Sequence, residues 1–122
     1  MNKYSVCAWL DDLQMSVQLA KLANLHSYDL KFFGDGFKVL ENKVPTVLII
    51  DLLKLSEDDL NNMLSYPKTE LLTIIGYLHQ LTNSKVKFYK EYGCHMVIGR
   101  KDLLKKFKIY PKKNILCLLN QF

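Results

Sequence analysis

Cysteine and proline occur three times each in this chain of 122 residues, and glycine five times. Each scarcity removes a class of protein. Cys7, Cys94 and Cys117 are odd in number and far apart, with no Cys-x-x-Cys and no Cys/His group at zinc spacing. A disulfide framework and a structural zinc site are therefore not indicated, and three reduced core or near-core thiols are expected. Gly34-Asp35-Gly36 is the densest glycine stretch, and it lacks the spacing of either nucleotide-binding fingerprint. No apolar run approaches the roughly 20 residues of a spanning helix. The first apolar stretch is broken by Asp11-Asp12 with no small-residue cleavage site after it, unlike a secretory signal. The expectation is one cytoplasmic domain over residues 1–122, with no membrane segment and no attached effector domain.

Acidic residues are scarce in one region only. Residues 1–83 hold seven lysines against ten acids, a net of −3, whereas residues 84–122 hold ten Lys/Arg against two acids, a net of +8. The basic third can attract an acidic protein, a nucleic acid or an anionic membrane surface. A solvated lysine face is the plainer reading of the same charges. Tyr89 and Tyr92 beside Lys85, Lys87 and Lys90 have the look of a nucleic-acid surface, but helical spacing accounts for Tyr89 as core packing.

What is present is an alternation of short apolar runs and amphipathic stretches. Tyr4–Leu10, Asp29–Phe33, Thr46–Leu53, Leu71–Ile75 and His95–Ile98 read as strands, with Gly76 stopping the fourth. Trp9 and the Phe32-Phe33 pair are expected in the core. Helices are expected after Asp12, with Leu13, Val17, Ala20 and Asn24 on one face and Met15, Leu19 and Leu22 widening it. A short one spans Phe37–Glu41. Another follows the Ser56/Asp59 capping-box pattern, with Leu60, Met63 and Leu64 inward and Pro67 as its stop. Thr82, Asn83 or Ser84 begins the next, which places Val86 and Tyr89 inward and has Gly93 at its C′ position. One or two turns over Asp102–Phe107 and a helix over Lys112–Asn120, separated by Pro111, complete the chain. Strands alternating with helices predict an α/β protein with a five-stranded, doubly wound parallel sheet covered on both faces.

Two acidic sites end strands in this pattern. Asp11 and Asp12 close the first, and Asp51 closes Thr46–Ile50. Ligands of parallel sheets bind outside the carboxyl ends of the strands. If the two strands are neighbours, three carboxylates converge there, and their repulsion calls for a proton or a cation. Mg²⁺ suits one or two carboxylates plus waters and a phosphoryl oxygen. The pattern points to a metal-assisted aspartate phosphorylation pocket or the remains of one.

With that pair, that aspartate and the segment Gly93 to Arg100, the chain resembles the response-regulator receiver domain of two-component signalling over nearly its whole length. The stretches Ile74–Gln80 and Gly93–Arg100 resemble a divergent, pseudo-receiver subgroup. The resemblance implies a flavodoxin-like, three-layer α/β/α fold and no enzymatic activity of its own. It implies Asp51 as acceptor of a phosphoryl group from a histidine kinase, with Asp11, Asp12 and Asp51 holding Mg²⁺. Output would pass by protein–protein contact through the last helices and the fifth strand, whose basic character implies an acidic downstream target. Two departures accompany it. Receivers carry Ser or Thr after the fourth strand, where Gly76-Tyr-Leu-His79-Gln80 offers His79 as the nearest polar substitute. They carry Lys-Pro after the fifth, where this chain has Arg100-Lys101; Arg100, and less directly Lys101, are the candidates to contact phosphate. A pseudo-receiver scaffold that works without phosphorylation is the alternative, followed by a nucleic-acid module on the basic face. A flavin-binding protein is disfavoured by the missing hydroxyl-rich loop after the first strand.

Overall fold

The computed structural model describes residues 5–26, 29–32, 46–65 and 72–109. The expected helices over Phe37–Glu41 and Lys112–Asn120, together with Phe33, the Gly34–Gly36 turn, Pro67 and Cys117, lie outside them. Five strands form one all-parallel sheet in the order β2-β1-β3-β4-β5. They are β1 (Ser5–Trp9), β2 (Asp29–Phe32), β3 (Thr46–Asp51), β4 (Leu72–Leu78) and β5 (Met96–Gly99). The helices are α1 (Leu13–His26), α2 (Glu57–Ser65), α3 (Asn83–Glu91) and α4 (Arg100–Ile109), with a 3₁₀ turn at Leu52–Lys54. This is the expected doubly wound α/β architecture, with flavodoxin-like strand order.

The three central strands are apolar on both faces because both faces are covered. Val6, Ala8, Val47, Ile49, Ile75, Tyr77 and Ile98 pack against Met15 and Leu19 of α1 and Leu103 of α4. Residues one position along, including Cys7, Trp9, Leu48, Ile50, Ile74 and Val97, pack against Met63 of α2 and against Val86 and Tyr89 of α3. The period-two alternation of the strands thus builds two cores on opposite sides of one sheet. Both Cys7 and Cys94 are buried in the second.

Local signals fix the helix ends. Asp12 Oδ1 accepts from Met15 N–H at 2.9 Å and caps α1. Ser56 and Asp59 form the reciprocal capping box of α2, at 3.1 and 2.9 Å. Thr82, the first of the three cap candidates, receives Lys85 N–H and starts α3. At its far end Gly93 N–H donates to Lys90 and Cys94 N–H to Tyr89, the Schellman pattern. Gly93 has φ 121°, a conformation that glycine adopts without a Cβ penalty.

Several expectations are corrected. β4 does not stop at Gly76 but runs two residues further, because Gly76 pairs in register with Ile50 and Val97 inside the sheet. β3 ends at Asp51, and Leu52–Lys54 turns into the 3₁₀ segment, which tucks Leu52 beneath Gly76. Leu13 is 79% exposed, and Val17, Leu64 and Phe32 also face solvent. The buried stripe of α1 is Met15, Leu19 and Ala23, nearly opposite the face that Leu13 and Val17 share. β2 is an edge strand, which explains exposed Phe32. α4 starts directly at Arg100, earlier than expected, and continues to Ile109.

Candidate functional site

The topology places the ends of β1 and β3 side by side, since β1 pairs with β3 up to Trp9–Ile50. Asp51 is the last residue of β3 and follows Val47 and Ile49 on the α1/α4 side of the sheet by strand alternation. Its direct neighbour on β4 is Tyr77, which is fully buried on that side. Asp12 enters the same region from the loop that leaves β1. Arg100 enters from the first turn of α4, directly after β5.

Asp12 is the hub. Its Oδ2 accepts from Arg100 Nε at 2.9 Å, and Arg100 Nη2 lies 3.5 Å from Oδ1. Tyr77 Oη is 3.5 Å from Oδ2, and His79 Nε2 is 4.0 Å from the same oxygen. With the Met15 N–H on Oδ1, every side of the carboxylate faces a donor or a cationic group. Arg100 also donates from Nη2 to Gln14 Oε1 at 3.1 Å, so its fork spans the first turns of α1 and α4. The guanidinium holds Asp12 below the ordinary carboxylate range, and Asp12 in turn raises Arg100.

Asp51 sits differently. It is 7% exposed, and its Oδ1 caps the 3₁₀ turn by accepting from Leu53 N–H at 3.1 Å. Burial, which disfavours the charged form, pushes its carboxyl up; the Leu53 and Tyr77 hydrogen bonds and His79 oppose that push, and the negative charge of Asp12 adds to it. Burial likewise raises the Tyr77 phenol, reinforced by the charges of Asp51 and Asp12, so Tyr77 remains a hydroxyl donor. Tyr77 donates to Asp12 and stands beside Asp51 in the strand register.

Of the residues singled out in the sequence, Asp12 meets Arg100 at 2.9 Å and His79 at 4.0 Å, and Asp51 ends the neighbouring strand at the same sheet edge. Asp11 does not join them. Its side chain is 75% exposed and takes Lys54 Nζ at 2.7 Å. Lys101 is exposed on α4, one residue past Arg100. Tyr89 of α3 and Tyr92 at its C-cap pack on the core, and Phe88 is exposed. Tyr77 was missed. A fourth strand that ends at Ile75 leaves Tyr77 in a loop; counting by twos from Ile75 past Gly76 places it beside Asp51.

Mg²⁺ is the ion that the resemblance implies for these carboxylates. Such an ion demands near-octahedral oxygen ligands at about 2.0–2.1 Å. Asp11 points to a lysine, Asp12 already serves Arg100 and the Met15 amide, and one oxygen of buried Asp51 is bound to the Leu53 amide. As arranged, these residues do not fit a divalent ion. Among the described residues no group of three His, Cys, Asp or Glu side chains is arranged to hold a metal. No described helix is long and apolar enough to cross a membrane. Comparison with protein-family models, with curated proteins and with solved structures gives no match to this chain.

Proposed function

We propose that this chain is a receiver-like domain of two-component or phosphorelay signalling that works through protein–protein contact, with its acidic pocket closed by its own arginine. One observation carries the reading: Asp12 and Asp51 lie at the carboxyl ends of neighbouring parallel strands, with Tyr77 and Arg100 on Asp12. A switch-point crevice is where an open α/β sheet does its chemistry. The strand register sets Tyr77 beside Asp51, in the region where receivers carry a small hydroxyl that bonds phosphate. A phenol there fills the space instead of leaving it to a phosphoryl group. Asp51 is buried and engaged as a cap, which favours the form that does not depend on phosphorylation. The basic α3 and α4 suit an acidic protein target, and the cytoplasm is the compartment this reading implies.

The test is to treat the protein with acetyl phosphate, or with beryllofluoride, in the presence of Mg²⁺ and record intact mass and amide chemical shifts. The closed form gives neither a mass increase nor shifts at residues 51–53 and 77. A change that Asp51→Asn abolishes would replace this reading with an active phosphoacceptor fed by a histidine kinase.

A further inference from the structure

We infer that the Arg100 guanidinium is the resident cation of the carboxyl-edge pocket and keeps divalent ions out of it. The inference rests on the closed-site reading above and deepens it, and its Mn²⁺ test is read without any phosphorylation, so the two can fail separately. Two carboxylates that end neighbouring strands at one sheet edge repel unless a positive charge or a proton is supplied. Asp12 obtains the charge from Arg100 through Nε at 2.9 Å, with Nη2 at 3.5 Å on its other oxygen. The charge of Asp12 is therefore balanced from within, by one fixed cation.

Arg100 is held in that role by more than Asp12. It opens α4 immediately after β5, and Gln14 of α1 fixes Nη2 at 3.1 Å. Leu103, one turn along α4, is buried against the same sheet face. The fork is thus preorganised by the packing of α1 and α4. A divalent ion entering the cleft would have to displace the guanidinium from Asp12 or tolerate a like charge a few ångströms away. Either opposes the binding of a cation. Arg100 could instead be a purely structural strap between α1 and α4, and the two roles differ in what its removal creates. A strap that is cut leaves a looser protein. A resident cation that is removed leaves an unfilled carboxylate pocket that takes an external ion.

The experiment uses the full chain and Mn²⁺ as probe. It is read by quenching of the one tryptophan, Trp9, which lies three residues before Asp12, and by paramagnetic broadening of amide signals at residues 9–12 and 51–53. The wild type is expected to show no saturable response in the low millimolar range. Arg100→Met is expected to gain a saturable response, tighter by about tenfold or more, since even a solvent-screened unit charge at such range is worth about 1 kcal/mol against a monovalent ion and twice that against a divalent one. Adding Asp12→Asn to that variant should abolish the gain. Arg100→Lys keeps the charge and gives up the fork, so it should fall between the two, and it serves if the methionine variant does not fold. Saturable Mn²⁺ broadening around Asp12 in the wild type would overturn the inference. So would a folded Arg100 variant that binds Mn²⁺ no better than the wild type.

Discussion

Asp12 and Asp51 leave neighbouring strands at the same edge of the sheet, yet they end in opposite states. Asp12 lies at a loop, reaches partly into solvent and is fixed as an anion by a bidentate-like arginine. Asp51 is the last residue of a fully buried strand, has no cation within hydrogen-bond reach among the described residues, and is drawn toward its neutral form. Identical side chains acquire different chemistry because burial and a charge partner move a carboxyl in opposite directions. Tyr77 stands between them and senses both. The lesson is that convergence of acids at a sheet edge does not by itself make a metal site. What decides is which of them the rest of the fold has already satisfied.

The largest way to break this contrast is to remove the cation. Arg100→Met should destabilise the protein by about 3 kcal/mol, the lower end for breaking a buried ion pair, because the side chains of Asp12 and Arg100 remain 13% and 21% exposed. Denaturant midpoints at neutral pH measure it. The loss should shrink in acid. Asp12 titrates lower in the folded state than its ordinary 3.8, so its stabilisation is complete above that value and is lost as pH falls through the depressed folded value. A loss that is the same in strong acid as at neutrality would show that Arg100 acts through packing alone.

A second change acts on the Asp51 side and spares Asp12. A Cβ on Gly76 would lie 2.6 Å from both Cδ atoms of Leu52 and 2.7 Å from its Cγ. Leu52 is the fully buried first residue of the 3₁₀ turn that Asp51 caps. Gly76→Ala should therefore cost about 2 kcal/mol by overpacking and disturb amide shifts at residues 51–54 while leaving those of Met15 and Arg100 in place. Shifts spread equally over both sides would mean that the two carboxyl positions are mechanically one unit.

Gly76 also shows why the fold was more legible than the site. The period-two apolar runs and their spacing were enough to predict the parallel sheet and its winding, because burial on both faces writes itself into composition. The caps at Asp12, Ser56 and Gly93 are local and were equally readable. Gly76, taken as a stop, is in fact a mid-strand residue kept small by Leu52, a contact 24 positions away that no local rule contains. That one misreading hid Tyr77. On α1 the exposed Leu13 and Val17 have the right spacing for a buried stripe, and only the docking of Met15 and Leu19 shows which side faces inward. Asp11 and Asp12 are indistinguishable as letters. The turn that caps α1 with Asp12 is what sends Asp11 outward to Lys54.

The smallest expected effect sharpens the comparison most, because its sign differs. Asp51→Asn keeps an oxygen for the Leu53 amide and removes the charge. In the wild type Asp51 titrates above its ordinary 3.8 when folded, so the folded chain holds this proton more tightly than the unfolded chain. As pH rises from 3.8 through the raised folded value, the unfolded chain ionises first, and stability falls across that window to a lower plateau. The asparagine variant has no such loss. It should be more stable than the wild type at neutral pH, and the difference should close below pH 3.8, where both side chains are neutral. Urea unfolding at neutral pH and again in acid measures both limits. Asp12→Asn should behave in the opposite sense, losing stability at neutral pH and not in strong acid. If Asp51→Asn instead weakens the protein at neutral pH, its negative charge is being used in the folded state. The attraction of Arg100 and His79 then outweighs burial, and the two carboxylates belong to one shared ion-pair network, not to the separate states described above.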